Sequence, residues 1–520
     1  MKKMKKVMAL LLSLVMVLAM SVVAFADEGS AGSSTTYTIT APSGSHQYEI
    51  YQIFTGDLHE GTLSNVKWGE NGTGTKGEAV DPTVISALTA VNNTTTSDTD
   101  KLKVIENYAN LTSTPAGTVT NGETYTAAAG YYLIKDKDGS VTGTDSYTLY
   151  IVKVVNDVNI TPKSAVPSFD KKIMDTNDTT GVTSKWQDSA DYDIGDDVPF
   201  KLEGTVASNY TEYKKYYFAF HDKQEAEVLD FNADSVKVYV GDGTEPINKS
   251  AYRLVKAPTD GCTFEVIFDD LMHSAKEFNF SVTNGTKIRV EYTAKLTDKA
   301  NIGSKGNVNG GKLEFSNNPN SEQGGESDTH GETPWDNVIV FTYKVVVNKI
   351  DSDNNALPGA AFELSKKDVN GKWVSVDLVN ATLNPETKKY ELTSNTQTTF
   401  EWKGLDDGTY QLAEIITPAG YNTISPIEFK VEAEHNIAWD GNDNTRNGVL
   451  TSLTGTAKTG DITFTSNADK SELATNVVNN KGSELPSTGG MGTTIFYVVG
   501  SILVLGAAIL LITKKRMSVR

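Results

Sequence analysis

The sequence has almost none of the residues that exported proteins and enzymes commonly lean on. It holds one cysteine, Cys262, in 520 residues, which excludes an intramolecular disulfide and leaves stability to some other covalent or packing device. Within the run Cys262 to Phe268 that thiol reads as a buried strand residue with no chemistry of its own. The six histidines, His46, His59, His221, His273, His330 and His435, are scattered, with no pair at metal-ligand spacing. No glycine-rich phosphate loop follows a strand and no Gly-x-Ser-x-Gly elbow is present, so no enzyme, cofactor or metal centre is expected. Only a carboxylate pair could still serve a secreted hydrolase, and the many Asp and Glu residues read instead as solvated faces. Basic residues are scarce as well: 47 Lys and Arg stand against 66 Asp and Glu, a net charge of -19. That balance argues against nucleic acid or anionic membrane surfaces as partners.

Long apolar runs occur only at the two ends. Residues Met1 to Ala26 carry a basic start (Lys2, Lys3, Lys5, Lys6), an apolar stretch from Val7 to Val23, and small residues at Ala24 and Ala26. This is the pattern of a secretory signal cleaved after Ala26. Near the other end the run Ile495 to Ile512, followed by Lys514, Lys515 and Arg516, is just long enough to cross a bilayer as a helix with its basic flank on the cytoplasmic side. Removing the eight basic residues of these ends brings the mature charge to about -27. Its length allows about three domains of ordinary size.

Immediately before the C-terminal run stands Leu485-Pro486-Ser487-Thr488-Gly489. The pentapeptide, apolar run and basic tail in that order resemble the sorting signal of Gram-positive surface proteins, Leu-Pro-x-Thr-Gly. The resemblance implies cleavage by a sortase between Thr488 and Gly489, with the Thr488 carbonyl held as a thioester and passed to an amine. The chain would then be an acyl donor and not a catalyst.

Between the ends, the chain reads as strands joined by Gly, Asn and Asp turns, an all-β pattern of tandem sandwiches. From Tyr37 to Lys163 alternation is strand-like, as in Tyr48 to Phe54. Two helical interruptions are predicted, one at the N-cap and N1 pair Asp81-Pro82 and one after Asp100. The segment closes with the strand Tyr147 to Val152 and then Val158-Asn159-Ile160-Thr161-Pro162-Lys163. That ending resembles the Val-x-Val-Tyr-Pro-Lys motif of sortase-assembled pilins, with Thr161 in place of the Tyr and Val154 where the family has Trp. By that resemblance Lys163 is the amine that attacks the sortase-bound Thr of the next subunit, and Lys153 is the fallback. A Lys following Pro at a domain boundary is rigidly presented, as amine attack requires.

A second domain begins near Pro167 and resembles the middle domain of the same pilins, in which a Lys near the first strand joins an Asn near the last beside an acidic residue. Period-two alternation puts Phe169, Lys171 and Ile173 on one face, and Leu313, Phe315 and Asn317 on one face. Asp222 takes the acidic role, with Asp230 close by and comparably placed. Burial drives a Lys toward the neutral amine and a carboxyl toward the neutral acid, so such a trio can form an isopeptide bond with loss of ammonia and no cofactor.

The third domain shows Lys344 to Asp351, Leu357-Pro358-Gly359, and Tyr410, Leu412, Glu414, Pro418, Gly420 and Tyr421. These resemble the collagen-adhesin (Cna) B-type domain, whose motif Tyr-x-Leu-x-Glu-x-x-Ala-Pro-x-Gly-Tyr is met except at Thr417. The resemblance implies a second isopeptide set, Lys349, Glu414 and Asn479. Each cross-link would close a long loop and stabilise by about 4 to 5 kcal/mol on the chain-entropy model, filling the gap left by the missing disulfides.

The expected organisation is a signal peptide (1–26), an N-terminal pilin β-domain with a helical insert (27–166), a middle β-sandwich (167–343), a B-type sandwich (344–482) and a sorting signal with transmembrane helix (483–520). The resemblance covers nearly the whole mature chain. It implies the backbone subunit of a covalent pilus, with a pilin-type sortase and further copies of itself as partners. It further implies a housekeeping sortase that attaches the chain to peptidoglycan, with minor pilins or a host matrix ligand as candidate partners. The alternative is a monomeric wall-anchored adhesin or minor pilin.

Overall fold

The computed structural model describes residues 36–59, 61–92, 96, 98–143, 145–161, 166–321, 325–376, 382–383, 390–393, 397–482 and 491–517. Its strands group into three successive two-sheet units followed by one long helix.

In the first unit Gln47–His59 forms the spine of a five-stranded sheet with Thr62–Trp68, Gly117–Thr120, Gly130–Asp136 and Leu149–Val154. Thr36–Thr40 lies in a second sheet between Thr124–Ala128 and the parallel Val158–Asn159. Between the sheets Ile39, Tyr48, Ile50, Tyr132, Ile134 and Val154 form one apolar core. The predicted helical insert is present as Pro82–Val91 and Asp98–Glu106. Asp81 caps the first by accepting from the Thr83 amide at 2.8 Å, with Pro82 at the first helical position. The second starts slightly before Asp100. Ile85, Leu88, Leu102 and Ile105 then seal the outer face of the sheet over Phe54 and Tyr131. The closing strand runs Leu149–Val154, two residues later than its Tyr147 to Val152 pattern suggests.

The middle unit stacks a four-stranded sheet, in the order Leu229–Val240, Lys287–Leu296, Asp197–Thr205, Phe169–Ile173, on a seven-stranded one. The seven-stranded sheet is centred on Asn307–Ser316 and Phe218–Gln224, flanked by Asp336–Phe341 and Phe264–Phe268. Alternation along each strand sends Phe200, Leu202, Phe218, Phe220, Val290, Tyr292, Leu313 and Phe315 into one shared core. Cys262 is buried but precedes the strand Phe264–Phe268, in the turn that leads into it.

The third unit has Tyr343–Asp351 and Glu472–Asn479, its first and last strands, side by side and parallel, with Lys349 opposite Val477 and Asp351 opposite Asn479. Thr399–Leu405 flanks the first strand, and the facing sheet carries Ala361–Lys367, Gly408–Ile416, Ile427–His435 and Leu450–Ala457. Phe362, Phe400, Trp402, Tyr410 and Phe429 fill the space between.

Adjacent units are stitched by main-chain hydrogen bonds. Tyr147 N donates to Asn317 O at 2.8 Å, Asp188 N to Ile437 O at 3.0 Å, and Ile194 N to Gly404 O at 3.0 Å. Gly404 adopts φ +80, and a Cβ there would come within 2.4 Å of the Ile194 side chain, so both its conformation and the contact require glycine. At the same junction Lys366 is buried among Asp178, Asp193 and Asp406, two of which come from the middle unit. Beyond the sandwiches the helix Met491–Met517 contains a span, Thr494–Lys515, with mean hydropathy 2.7 and none of it buried.

Candidate cross-linking sites

In the middle unit Lys171 lies on Phe169–Ile173, facing inward between Asp170 and Lys172, and is fully buried. Lys172 points outward instead, pairing with Asp188 at 2.6 Å and Asp170 at 2.7 Å. From the opposite sheet Asp222 meets the Lys171 amine with both side chains inaccessible to solvent. Burial drives the Lys171 amine below the usual lysine range, against the Asp222 charge that raises it. Burial likewise raises the Asp222 carboxyl, against Lys171 and the hydrogen bonds from Lys171 and Tyr292. Both shifts favour a neutral amine beside a neutral acid, which is the state a nucleophilic amine and a proton shuttle need. Asp230, by contrast, is exposed on Leu229–Val240 and outside this cluster.

The asparagine in reach is Asn309, not Asn317. Asn309 is fully buried, and its Nδ2 donates to the Tyr292 hydroxyl at 2.8 Å. Lys171 Nζ donates to that hydroxyl at 3.1 Å, and the hydroxyl donates to Asp222. The Asn309 carbonyl oxygen and Asp222 Oδ1 are buried with no hydrogen-bond partner, leaving the amide carbonyl open to attack. Asn317 is also buried, but it lies past the end of Asn307–Ser316, where its Oδ1 accepts from Thr329 at 3.0 Å. Gly311 stands opposite Asp222, and Asn317 is six residues beyond it, on the order of 20 Å away at the rise of a strand. The inward parity that leads from Phe315 and Leu313 toward Asn317 leads equally well backward to Asn309. Alternation identifies the face and leaves the end of the strand open. Tyr292 carries the same kind of signal, since it alternates inward with Ile288 and Val290.

The third unit brings its expected trio together. Lys349 is fully buried, its amine donating to the Ile350 and Val477 carbonyls at 3.1 Å each. Asn479, also fully buried, donates through Nδ2 to both Glu414 oxygens at 2.9 and 3.0 Å, while its own carbonyl oxygen has no partner. Burial pushes the Lys349 amine down to about 8, against Glu414 and Asp351, which raise it. Thr417, the one departure from the family motif, donates to Glu414 Oε2 at 3.1 Å, and the Ile424 amide reaches the same oxygen at 3.2 Å. The substitution therefore adds a donor to the carboxylate.

Lys163 and the pentapeptide Leu485 to Gly489 lie outside the described residues, as does the signal region. On the near side of Lys163, Ile160 N donates to Thr40 O at 2.8 Å and Thr161 is exposed; on the far side Val166 is exposed. Lys153 lies on Leu149–Val154 with its amine on the Gly61 carbonyl at 3.1 Å.

Comparison with known proteins bears on the third unit and the C-terminal segment. Residues 343–445 match the family model described as the SpaA prealbumin-like fold domain, and residues 477–518 match the LPXTG cell wall anchor motif. The trypsin-resistant surface T6 protein of Streptococcus pyogenes serotype M6 is 25% identical over 400 residues, covering 68% of this chain and 70% of that protein. Among solved structures, the T6 backbone pilin of the same organism, described as a modular three-domain structure, superposes with TM-score 0.50 at 18% identity. It covers 87% of this chain and 100% of its own. The full-length major pilin SpaD of Corynebacterium diphtheriae gives TM-score 0.45 at 16% identity, covering 86% of this chain and 98% of that one. With a prealbumin-like module followed by a wall-anchor motif, the chain is a cell-wall-anchored surface protein that is similar to the T6 protein.

Proposed function

We propose that this chain is the backbone subunit of a covalent pilus, polymerised by a pilin-type sortase that joins Thr488 of one copy to Lys163 of the next. The enzyme breaks the Thr488–Gly489 peptide bond and holds the Thr488 carbonyl as a thioester. The Lys163 amine attacks that carbonyl, an isopeptide bond forms, and the sortase thiol is released. When the acceptor is a peptidoglycan amine, delivered by a housekeeping sortase, the fibre is fixed to the wall.

The observation that carries this reading is the serial arrangement of sandwiches, two of them holding a buried Lys with an Asn and an acid, upstream of a wall anchor. A load-bearing polymer needs subunits that do not unfold under tension. In the middle unit the Lys171 amine attacks the Asn309 side-chain carbonyl, Asp222 moves the proton, and ammonia leaves. In the third unit Lys349, Asn479 and Glu414 take the same roles. Asn309 replaces Asn317 here because it is the amide that shares the Tyr292 hydroxyl with Lys171.

The test is an immunoblot of cell-wall extract boiled in detergent, comparing the natural chain with Lys163→Ala. A ladder of multimers that collapses to monomer in the variant supports the backbone role and its linking lysine. A single wall-attached band in both overturns it in favour of an anchored adhesin. A ladder that survives the substitution keeps the polymer and moves the nucleophile, with Lys153 next.

A further inference from the structure

The outer face of the middle unit's larger sheet carries a second set of chemistry-bearing side chains that the cross-linking reading does not use. Because Phe218, Phe220 and Asp222 point into the core, His221 points away from it. Opposite it in the sheet stands Glu265, and the turn before that strand delivers Asp260 and Cys262 to the same spot. His221 Nδ1 is 3.1 Å from Asp260 Oδ2, 3.0 Å from Glu265 Oε1 and 4.0 Å from Cys262 Sγ; Cys262 Sγ is 3.0 Å from Asp260 Oδ2. One imidazole nitrogen, one sulfur and one carboxylate oxygen, from His221, Cys262 and Asp260, thus converge on a single point, with Glu265 beside the imidazole.

We propose that His221, Cys262 and Asp260 form a binding site for a divalent transition ion of borderline softness, with zinc the ion that best fits the donors. Zinc bonds of about 2.0 to 2.3 Å to N, O and S in a tetrahedron require donors about 3.2 to 3.8 Å apart, close to the spacings found. Mixed thiolate, imidazole and carboxylate ligation excludes magnesium and calcium, which take oxygen alone.

Two features beyond the donor set belong to a metal centre. The far nitrogen of His221 bonds Glu314 Oε2 at 3.0 Å, the carboxylate-to-imidazole arrangement that fixes which nitrogen faces an ion. Glu314 is itself held by His330 Nδ1 at 2.7 Å, and His330 is stacked on Tyr217 with ring centroids 4.2 Å apart. An entry path exists as well, because the Asp260 side chain is 39% exposed while His221 is buried.

Without an ion, His221 can satisfy the surrounding carboxylates by holding two protons, and the Cys262 thiol donates to Asp260. An arriving dication supplies the opposite field, and binding releases the Nδ1 proton and the thiol proton to solvent. Among the described residues, the dense carboxylate cluster around Asp193 and Asp406 already has a cation in the Lys366 amine.

The test uses the mature chain purified from the wall, stripped with a chelator, kept reduced and titrated with cobalt. One equivalent binds, with the thiolate-to-cobalt charge-transfer absorption in the near ultraviolet, and zinc displaces it. Cys262→Ser, nearly isosteric, loses that absorption. Glu314→Gln keeps it but weakens binding by about 10-fold to 100-fold, as expected for a ligand-orienting carboxylate. In the natural chain zinc slows labelling of Cys262 by a thiol reagent and the chelator restores it. Absence of the charge-transfer band, a band unchanged in Cys262→Ser, or labelling indifferent to zinc would each overturn the site.

Discussion

Asn309 and Lys171 donate to the same atom, the phenolic oxygen of Tyr292, at 2.8 and 3.1 Å. The two groups to be joined are therefore held on one pivot, with Asp222 accepting from the same hydroxyl.

The first prediction concerns mass. If both cross-links form, the intact mature chain is lighter than its sequence by about 34 Da, one ammonia for each bond. Asn309→Ala should restore about 17 Da and Asn317→Ala none. Intact-mass spectrometry of the three chains decides between the asparagines, and a restoration by Asn317→Ala would return the bond to that residue.

The third unit offers a test of the acid. Glu414→Ala leaves Lys349 and Asn479 facing each other without a proton carrier, so the amide bond should not form. The domain should lose on the order of 4 to 5 kcal/mol, the loss expected for a cross-link closing a long loop. Denaturant titration reads the loss, and an unchanged midpoint with the mass of the cross-linked chain would refute the role.

A pH effect follows from Lys349. In the folded, uncross-linked domain its amine is pushed down to about 8 by burial, against Glu414 and Asp351. An unfolded lysine titrates near 10.4. Between those values the unfolded chain binds more protons, so stability rises with pH across that window. The thermal midpoint of Asn479→Ala should climb from about pH 8 toward pH 10, and adding Lys349→Met should flatten the slope. A falling midpoint in Asn479→Ala would contradict the buried neutral amine.

The junction of the middle and third units rests on Lys366. Burial lowers its amine and the carboxylates of Asp406, Asp193 and Asp178 raise it by more, so it stays charged. Lys366→Met leaves three carboxylates facing one another and should cost about 3 to 5 kcal/mol, as removing one partner of a buried ion set does. Limited proteolysis near Thr342 should accelerate in the variant, while the mass deficit of each cross-link is unchanged.

Much of this was legible from the residues. Strand alternation placed Lys171 and Lys349 inward, and the Glu414 motif located the carboxylate that meets Asn479, because both depend on local periodicity or a contiguous motif. Asn309 is not distinguished from Asn317 by sequence, because parity is the same at both ends of a strand, and only the pairing of Asp222 with Gly311 fixes the register. The cluster at His221 was invisible for a related reason. Its cysteine lies 41 residues away in the chain, and a sheet neighbour, unlike a helix neighbour, leaves no fixed spacing in the sequence.

The parallel pairing of Tyr343–Asp351 with Glu472–Asn479 has a consequence for how this domain can change. The polypeptide enters through one of these strands and leaves through the other, so the shortest mechanical route bypasses everything between them. The strands between them form a detour off that route, held to it by hydrogen-bonded pairing and packing. Loops there can lengthen, shorten or acquire new surfaces without weakening the line along which the fibre is pulled.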